Sequence, residues 1–332
     1  MKKLLDVPDR VVEDMLEGIC VAYPKRYRLV GPRALVRSST QERKVGIVIG
    51  GGSGHEPAFW GYVGHGLADG VALGNVFASP APDPIVDAAR AVNRGAGILL
   101  IYGNYAGDCM NFEMAAEILA SDGIDVQRVI VRDDVASAPR EQRNLRRGIA
   151  GEILVYKIAG ALAMSGHSLT DITEWTQEAA DRCFSIGVAW SPCILPQTGQ
   201  PSFEIGDNEM EIGLGVHGEP GIKRQSMLSA KEVAVLMTEQ LFAEIRRPAG
   251  RLAVLVNGLG STSQMELHIL YKSIAAELER RGATVVNVLI GNYITSQEMG
   301  GCSLTLLELD PGREKALNRE CEAIGWTQRT MN

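Results

Sequence analysis

A chain of 332 residues, 45% of them hydrophobic, is long enough for two globular domains with sizeable cores. Its formal net charge of −7 argues against a nucleic-acid partner, which needs a dense basic surface. No apolar run approaches the roughly 20 residues of a membrane span, no signal peptide is recognisable, and the six cysteines form no CxxC pair or metal spacing. We therefore expect a cytoplasmic protein with reduced thiols, no membrane partner and no metal site.

Short apolar runs alternate with amphipathic stretches along the chain, a pattern typical of α/β proteins. The predicted strands are Val45–Ile49, Val71–Val76, Ile98–Tyr102, Val126–Val131, Arg251–Val256, Thr284–Ile290 and Leu304–Leu309. The predicted helices are Val11–Val21, Asp83–Asn93, Asn111–Ala120, Arg147–Ser165, Thr170–Cys183, Ala230–Ile245 and Gln264–Arg281.

One segment, Ser191–Asp207, is rich in Pro, Gly and Ser and has no helical periodicity, which is typical of a connector. It predicts two domains, residues 1–190 and 191–332. His55 and Asp108 would then belong to the first domain and His217 to the second. Small-ligand sites are common between domains.

The first motif of interest is the glycine-rich run that ends at His55. It follows the predicted strand Val45–Ile49, so we expect a strand-to-helix turn whose backbone N–H groups face a phosphate or polar ligand. The run is not a dinucleotide fingerprint, because His55 occupies the third glycine position, and no Gly-Lys-Ser/Thr of a Walker A loop follows. The alternative is a tight structural turn with the histidine bonded to backbone.

The second motif places Asp108 after the predicted strand Ile98–Tyr102 and before a predicted helix. Loops at the carboxyl ends of strands in open α/β sheets are the usual ligand-binding edge. Asp108 could cap the helix by accepting hydrogen bonds from its first N–H groups. It could also accept a proton from a substrate hydroxyl during phosphoryl transfer.

The third motif ends a predicted strand at His217. Strand alternation would place Gly213 and Gly215 on the face of His217, and their missing side chains would leave empty volume beside the imidazole. A neutral imidazole can attack a ketone carbonyl and hold the ligand covalently. Glu219 is a candidate for orienting the ring. The alternative is a histidine that merely ends a strand.

An ordered series of motifs resembles the substrate-binding (K) subunit family of dihydroxyacetone kinase. The resemblance covers nearly the whole chain, and it implies an α/β fold of two domains, each with a mixed sheet flanked by helices. The matching segments are Gly50–Pro57, Ser79–Pro80, Asn104–Glu113, Arg147–Gly151, Ser191–Cys193, Glu211–Gly221 and Val256–Thr262.

The resemblance implies roles for three catalytic residues. His217, in His-Gly-Glu-Pro-Gly, would form a hemiaminal with the ketone of a short ketose. Asp108, in Asn-Tyr-x-Gly-Asp, would act as base on the terminal hydroxyl, and His55 would assist hydrogen bonding and proton transfer. Further substrate-binding positions implied by the motifs are Gly52, Ser53, Gly54, Ser79 and Gly103.

The resemblance also implies partners. ATP or ADP with Mg²⁺ would be carried by a separate helical nucleotide-binding (L) subunit, and no cofactor by this chain. The phosphoryl donor would be ATP or a phosphotransferase-system protein, and the chain would form a homodimer.

The sequence departs from the family at two positions. Typical members have a lysine where this chain has Gly103, and a threonine where it has Ala106. The loss of a lysine removes a charge and a long side chain, which would admit a longer ketose such as the tetrulose erythrulose in addition to dihydroxyacetone. The alternative function is a non-catalytic, ketose-sensing coactivator of a transcription regulator.

Overall fold

The computed structural model describes residues 2–39, 43–245 and 250–329. Its helices are α1 (Val11–Ala22), α2 (Pro82–Val92), α3 (Ala106–Ser121), α4 (Glu152–Met164), α5 (Leu169–Ala180), α6 (Ala230–Phe242), α7 (Gln264–Arg280) and α8 (Pro311–Leu317). Its strands are β1 (Tyr27–Leu29), β2 (Ala34–Arg37), β3 (Gly46–Ser53), β4 (Gly70–Val76), β5 (Ile98–Gly103), β6 (Val126–Val131), β7 (Cys183–Ser191), β8 (Glu209–Ile212), β9 (Lys223–Ser226), β10 (Arg251–Gly258), β11 (Thr284–Gly291), β12 (Gly300–Leu309), β13 (Cys321–Glu322) and β14 (Thr327–Gln328).

The first sheet has the strand order β1-β2-β4-β3-β5-β6. Strands β4, β3, β5 and β6 are parallel, while β1 and β2 are antiparallel to their neighbours. Side chains alternate between the two faces, so Ile47 and Ile49 enter one core cluster and Val48 enters another. Helices therefore cover both faces of this sheet.

The second sheet has the order β11-β10-β12-β7-β8-β9, with only the β10–β11 pair parallel. Helices α6 and α7 pack against it, and each begins with a capping box in which a serine and a glutamate satisfy the first backbone N–H groups. Each of the two large sheets is mixed and flanked by helices, so the predicted α/β architecture is confirmed.

Helix α4 is buried along nearly its whole length because both sheets contribute to the core around it. Ile47 of the first sheet and Leu255 of the second belong to the same apolar cluster as Ile153 and Leu154. A helix buried on all sides is apolar all round. Its two buried charged residues, Glu152 and Lys157, are exceptions to that pattern.

All of the predicted strands and helices are present, with ends that shift by a few residues. The sequence analysis missed β1, β2, β7, β9, the short β13 and β14, and helix α8. It predicted β8 as part of a strand that continues to His217. Strand β7 was missed in part because the predicted helix Thr170–Cys183 ran past Ala180, where α5 ends.

The expected boundary at residue 191 does not coincide with the division between the sheets. Strand β7 pairs with β12, so the chain has already entered the second sheet at Cys183. After α8 the chain packs again on residues from the first half of the sequence. The N–H of Gly325 donates to the carbonyl of Gly61. The Pro- and Gly-rich segment is the loop that follows β7. Its composition indicates irregular backbone and does not mark where the chain crosses between the sheets.

Candidate active site

The glycines before His55 belong to strand β3 and not to a helix entry. Gly50 pairs with Ala72 of the parallel neighbour β4, and the next helical turn is the short 3₁₀ helix Trp60–Tyr62. The expected strand-to-helix turn is therefore wrong. A Cβ added at Gly50 would lie 2.4 Å from the carbonyl oxygen of Ala72, and one at Gly51 would lie 2.4 Å from the Phe59 ring. Close packing by neighbours is what requires these glycines.

The imidazole of His55 is buried, with a relative exposure of 2%. Its Nδ1 lies 2.7 Å from the carbonyl oxygen of Thr295. Because a carbonyl can only accept, Nδ1 donates this bond, and Nε2 of the neutral ring keeps a lone pair. Burial lowers the pKa of His55 to about 3, with the charge of nearby His217 acting in the same direction. His55 is therefore a neutral hydrogen-bond acceptor near neutral pH.

Asp108 lies in the first turn of α3 but does not cap it. The N-cap residue is Tyr105, and no side-chain cap hydrogen bond is present there. Oδ1 of Asp108 is buried and has no hydrogen-bond partner among the described residues. Burial raises the pKa of this carboxyl to about 6, against the lowering effects of a Ser79 hydrogen bond and of the His217 charge. A carboxylate with such a pKa is suited to act as a general base near neutral pH.

The backbone before His217 differs from the predicted strand. Strand β8 ends at Ile212, and Gly213 has a φ of 77°, so the alternation does not extend to the histidine. A Cβ added at Gly215 would lie 2.1 Å from Oε2 of Glu219. The volume expected to be empty is therefore occupied by this carboxylate, and that part of the sequence interpretation is wrong.

Glu219 orients the His217 ring, as the sequence suggested. Its Oε1 lies 2.9 Å from Nδ1 of His217, so Nδ1 donates, and in the neutral ring Nε2 has a lone pair. Burial raises the pKa of Glu219, but the hydrogen bond and charge of His217, with help from Arg147, hold it at about 2. Arg147 in turn donates to Asp134 over 3.0 Å. An ionised carboxylate therefore stays behind the imidazole.

The three predicted catalytic residues converge on one small cavity. The ring centroids of His55 and His217 are 4.9 Å apart, and Asp108 lines the same space. His55 and Asp108 follow strands β3 and β5 of the first sheet, while His217 follows β8 of the second. The cavity is narrow, with a volume of about 20 Å³.

The remaining predicted binding residues divide into two groups. Gly52 and Gly103 line the cavity, and Ser79 contacts Asp108. Ser53 and Gly54 line a different cavity, together with N-terminal residues. The Ser53 hydroxyl donates to the carbonyl of Gly74, and the N–H of Gly54 donates to Glu56, so both groups already have protein partners.

Four residues of the site were missed from sequence. Thr295 accepts the His55 hydrogen bond, Arg147 supports Glu219, and Tyr105 packs its ring edge-on 4.9 Å from His217. Glu152 lines the cavity from the start of α4. The sequence did single out Glu152, because it is a charged residue at the start of a largely apolar helix. No local sequence pattern singles out Thr295.

Across residues 2–39, 43–245 and 250–329, no group of three or more His, Cys, Asp or Glu side chains is arranged to hold a metal ion. Within the same ranges, no helix has the length and apolar character needed to cross a membrane.

Comparison with known proteins identifies the family. The Dak1 domain matches residues 17–325, and the chain belongs to that family. The chain is 43% identical to the dihydroxyacetone-binding subunit of PTS-dependent dihydroxyacetone kinase 1 from Listeria innocua, over 98% of this chain and 100% of the relative. It is also 43% identical to the D-erythrulose kinase of Mycolicibacterium smegmatis, over 95% of this chain but 54% of that longer protein.

Solved structures agree with this assignment. A dihydroxyacetone kinase operon co-activator superposes with a TM-score of 0.89 at 34% identity, over 95% of this chain and 98% of the other. The dihydroxyacetone kinase of C. freundii in complex with AMP-PNP and Mg²⁺ gives a TM-score of 0.90 at 36% identity, over 98% of this chain and 61% of the other.

Proposed function

We propose that this chain is the ketose-binding subunit of a two-component kinase, which anchors a short ketose on His217 for phosphorylation of its terminal hydroxyl. The observation that carries the proposal is the convergence, on one small cavity, of three groups that have no hydrogen-bond partner among the described residues. These groups are Nε2 of His217, Nε2 of His55 and Oδ1 of Asp108. A small carbonyl compound with hydroxyl groups offers one complementary atom to each.

The anchoring step forms a hemiaminal. The lone pair on Nε2 of His217 attacks the carbonyl carbon, and the carbonyl π electrons move to the oxygen. The ring then carries positive charge, which the ionised Glu219 stabilises through Nδ1. The alkoxide oxygen takes a proton from solvent water, which leaves the imidazolium paired with ionised Glu219. Neutral His55 accepts a hydrogen bond from the resulting hydroxyl. Glycerol has no carbonyl group and cannot form this bond.

Asp108 acts on the anchored ligand. Its unpaired Oδ1 accepts the proton of the terminal hydroxyl, which makes that oxygen a better nucleophile toward a phosphoryl group. Covalent anchoring fixes the position of the hydroxyl relative to Asp108, and such positioning supplies a large part of the rate.

The phosphoryl group comes from a partner in this proposal. In this proposal a helical nucleotide-binding subunit carries ATP or ADP with Mg²⁺, which would supply the phosphoryl group and neutralise its charge. The kinase solved with AMP-PNP and Mg²⁺ supports this division, because it extends well beyond the length matched by this chain. The likeness to a PTS-dependent subunit favours a phosphotransferase-system donor, and we expect a homodimer. Six unpaired cysteines suit a cytoplasmic location.

The proposal is tested by calorimetric titration of the chain with dihydroxyacetone and with glycerol. We expect dihydroxyacetone to bind at least 100-fold more tightly than glycerol, and the His217→Ala variant to lose that preference. Equal affinity for the two compounds would refute covalent anchoring.

A second function, a ketose-sensing coactivator of a transcription regulator, is favoured by one observation, the likeness to the operon co-activator over 95% of this chain. The two functions differ in their need for a base, since a sensor requires only capture. Phosphorylation of the bound ketose by a reconstituted partner, lost in Asp108→Asn, would decide for the kinase.

A further inference from the structure

Glu152 occupies a place in the cavity that the proposed mechanism leaves unexplained. It is the first residue of α4 and has a relative exposure of only 3%. A Cβ added at Gly103 would lie 2.5 Å from its Oε1, and a Cβ added at Gly148 would lie 2.8 Å from the same atom. Oε1 of Glu152 therefore lies where a side chain of residue 103 would begin, and the two cannot occupy that space together.

The two oxygens of Glu152 have different surroundings. Oε2 accepts a short hydrogen bond from the hydroxyl of Tyr156, one helical turn further along α4. Oε1 forms no hydrogen bond with any residue of the described ranges and is next to the ligand cavity. A polar atom that borders a cavity and has no protein partner is suited to pairing with a ligand.

The protonation state of Glu152 follows from its environment. Burial raises the pKa of the carboxyl well above its usual range, and the nearby carboxyls of Asp133 and Asp108 raise it further, against the hydrogen bond from Tyr156. The protonated form of this carboxyl is therefore favoured relative to that of an exposed glutamate. Oε2 is occupied by the hydroxyl of Tyr156, so Oε1 is the oxygen that is free to pair with a ligand. It can donate to a ligand hydroxyl when the carboxyl is protonated and accept from one when it is ionised.

We infer that Glu152 determines substrate length: its Oε1 hydrogen-bonds a hydroxyl that dihydroxyacetone lacks, so that the site selects a ketose of four carbons. The inference rests on the proposed function, since it concerns the ligand anchored on His217. Tyr156 acts as a positioning residue behind Glu152. A site built to hydrogen-bond a hydroxyl discriminates strongly against the analogue without it, because its own polar group is then left unpaired.

The residue at position 103 narrows the ligand class further. A lysine there would place a positive charge at this wall, whereas Gly103 places none. The wall therefore favours an uncharged polyhydroxy ketone over a phosphorylated or carboxylated one. A purely structural role for the Glu152–Tyr156 pair would not require Oε1 to face the cavity unpaired.

The test is a titration, followed by carbon-13 NMR of the labelled carbonyl, with L-erythrulose and dihydroxyacetone as the two probes. We expect the unmodified chain to bind erythrulose at least 10-fold more tightly than dihydroxyacetone. Glu152→Leu, of similar size, should abolish that ratio while dihydroxyacetone affinity changes less than 3-fold. Glu152→Gln, which retains a donor, should keep most of the ratio. Ile149→Val, an apolar change in the same wall, should affect both ketoses equally.

The outcomes separate the inference from the proposed function. If erythrulose and dihydroxyacetone weaken equally in Glu152→Leu, or if the unmodified chain shows no preference, the specificity role is refuted while anchoring on His217 stands. If neither ketose forms an adduct with the unmodified chain, both proposals fail. Should Glu152→Leu not fold, Tyr156→Phe decides instead, because it releases Oε2 without changing the cavity wall and is expected to lower the same ratio.

Discussion

Glu219 binds His217 at two points. One carboxylate oxygen lies 2.9 Å from Nδ1 of the ring, and the other accepts the backbone N–H of His217 over 3.0 Å. Ring and backbone are thus fixed by a single ionised side chain, and Nε2 is directed away from it. The relationship is local in sequence, yet its effect depends on Arg147 from the distant loop before α4.

The charge of Glu219 is expected to matter more than its hydrogen bond. Glu219→Gln preserves an oxygen that accepts from Nδ1 but removes the negative charge that stabilises the ring once Nε2 has bonded. We expect about a 10-fold loss of dihydroxyacetone affinity, in line with the loss of about 1.4 kcal/mol from one charge-assisted bond. Glu211→Gln is the matched control, because Glu211 bonds the neighbouring Gly221 and Arg224 and does not contact the ring. Unchanged affinity in Glu219→Gln would rule out the electrostatic role.

Removal of the base should separate capture from turnover. In Asp108→Asn the carbonyl is still anchored on His217, so ketose affinity should change by less than 3-fold. Phosphorylation by a reconstituted partner should fall by about 100-fold or more, which is the usual loss for a general base. The two readouts are a titration and a product assay on the same preparation. Turnover within 3-fold of the unmodified chain would show that another group takes the proton.

The rate of phosphorylation should depend on pH through Asp108. Burial raises the pKa of this carboxyl to about 6, and only the ionised form accepts a proton. The rate should therefore rise as pH increases through about 6 and level off above it. His55, with a pKa of about 3, stays neutral throughout this range.

Ser79 provides the control for this pH profile. Its hydrogen bond lowers the pKa of Asp108, so Ser79→Ala should move the midpoint to higher pH without changing the plateau greatly. A profile that is flat between pH 5 and 8, or a midpoint that is unaffected by Ser79→Ala, would assign the titration to a different group.

The close approach of Gly103 and Glu152 predicts a coupling in stability. Gly103→Ala places a Cβ against the buried Oε1, and overpacking of this kind costs about 1–3 kcal/mol of unfolding free energy. In a Glu152→Ala background the obstruction is absent, and the same substitution should cost less than about 0.5 kcal/mol. Urea unfolding of the four proteins gives the cycle. Equal costs in both backgrounds would mean that the two positions do not compete for space.

Much of the architecture could be predicted from the sequence because its signals are local. The parallel strands β3 to β6 are short apolar runs, and the amphipathic helices between them follow helical spacing. Strand β9 was missed because it is a short, polar edge strand that is stabilised by pairing with β8. The Pro-rich loop after β7 was predicted to be a domain connector because composition indicates irregular backbone but does not indicate tertiary contacts.

The convergence of three candidate residues could be predicted from the sequence, but their surroundings could not. His55, Asp108 and His217 stand in recognisable motifs, whereas Thr295 and Glu152 reach the site from distant parts of the chain. The packing of Gly51 against Phe59 and the insertion of Glu219 beside Gly215 likewise depend on tertiary contacts. The glycines therefore correctly predicted that other groups approach the backbone closely. At Gly51 and Gly215 the approaching groups are protein side chains and not a ligand.

The most direct test of the central claim is carbon-13 NMR of carbonyl-labelled dihydroxyacetone mixed with the chain and with its His217→Ala variant. Formation of a hemiaminal converts a trigonal carbonyl carbon into a tetrahedral one, which moves its signal far upfield. The account predicts this shifted signal with the unmodified chain and its absence with His217→Ala. A shifted signal that persists in the variant, or none in either protein, would contradict anchoring on His217.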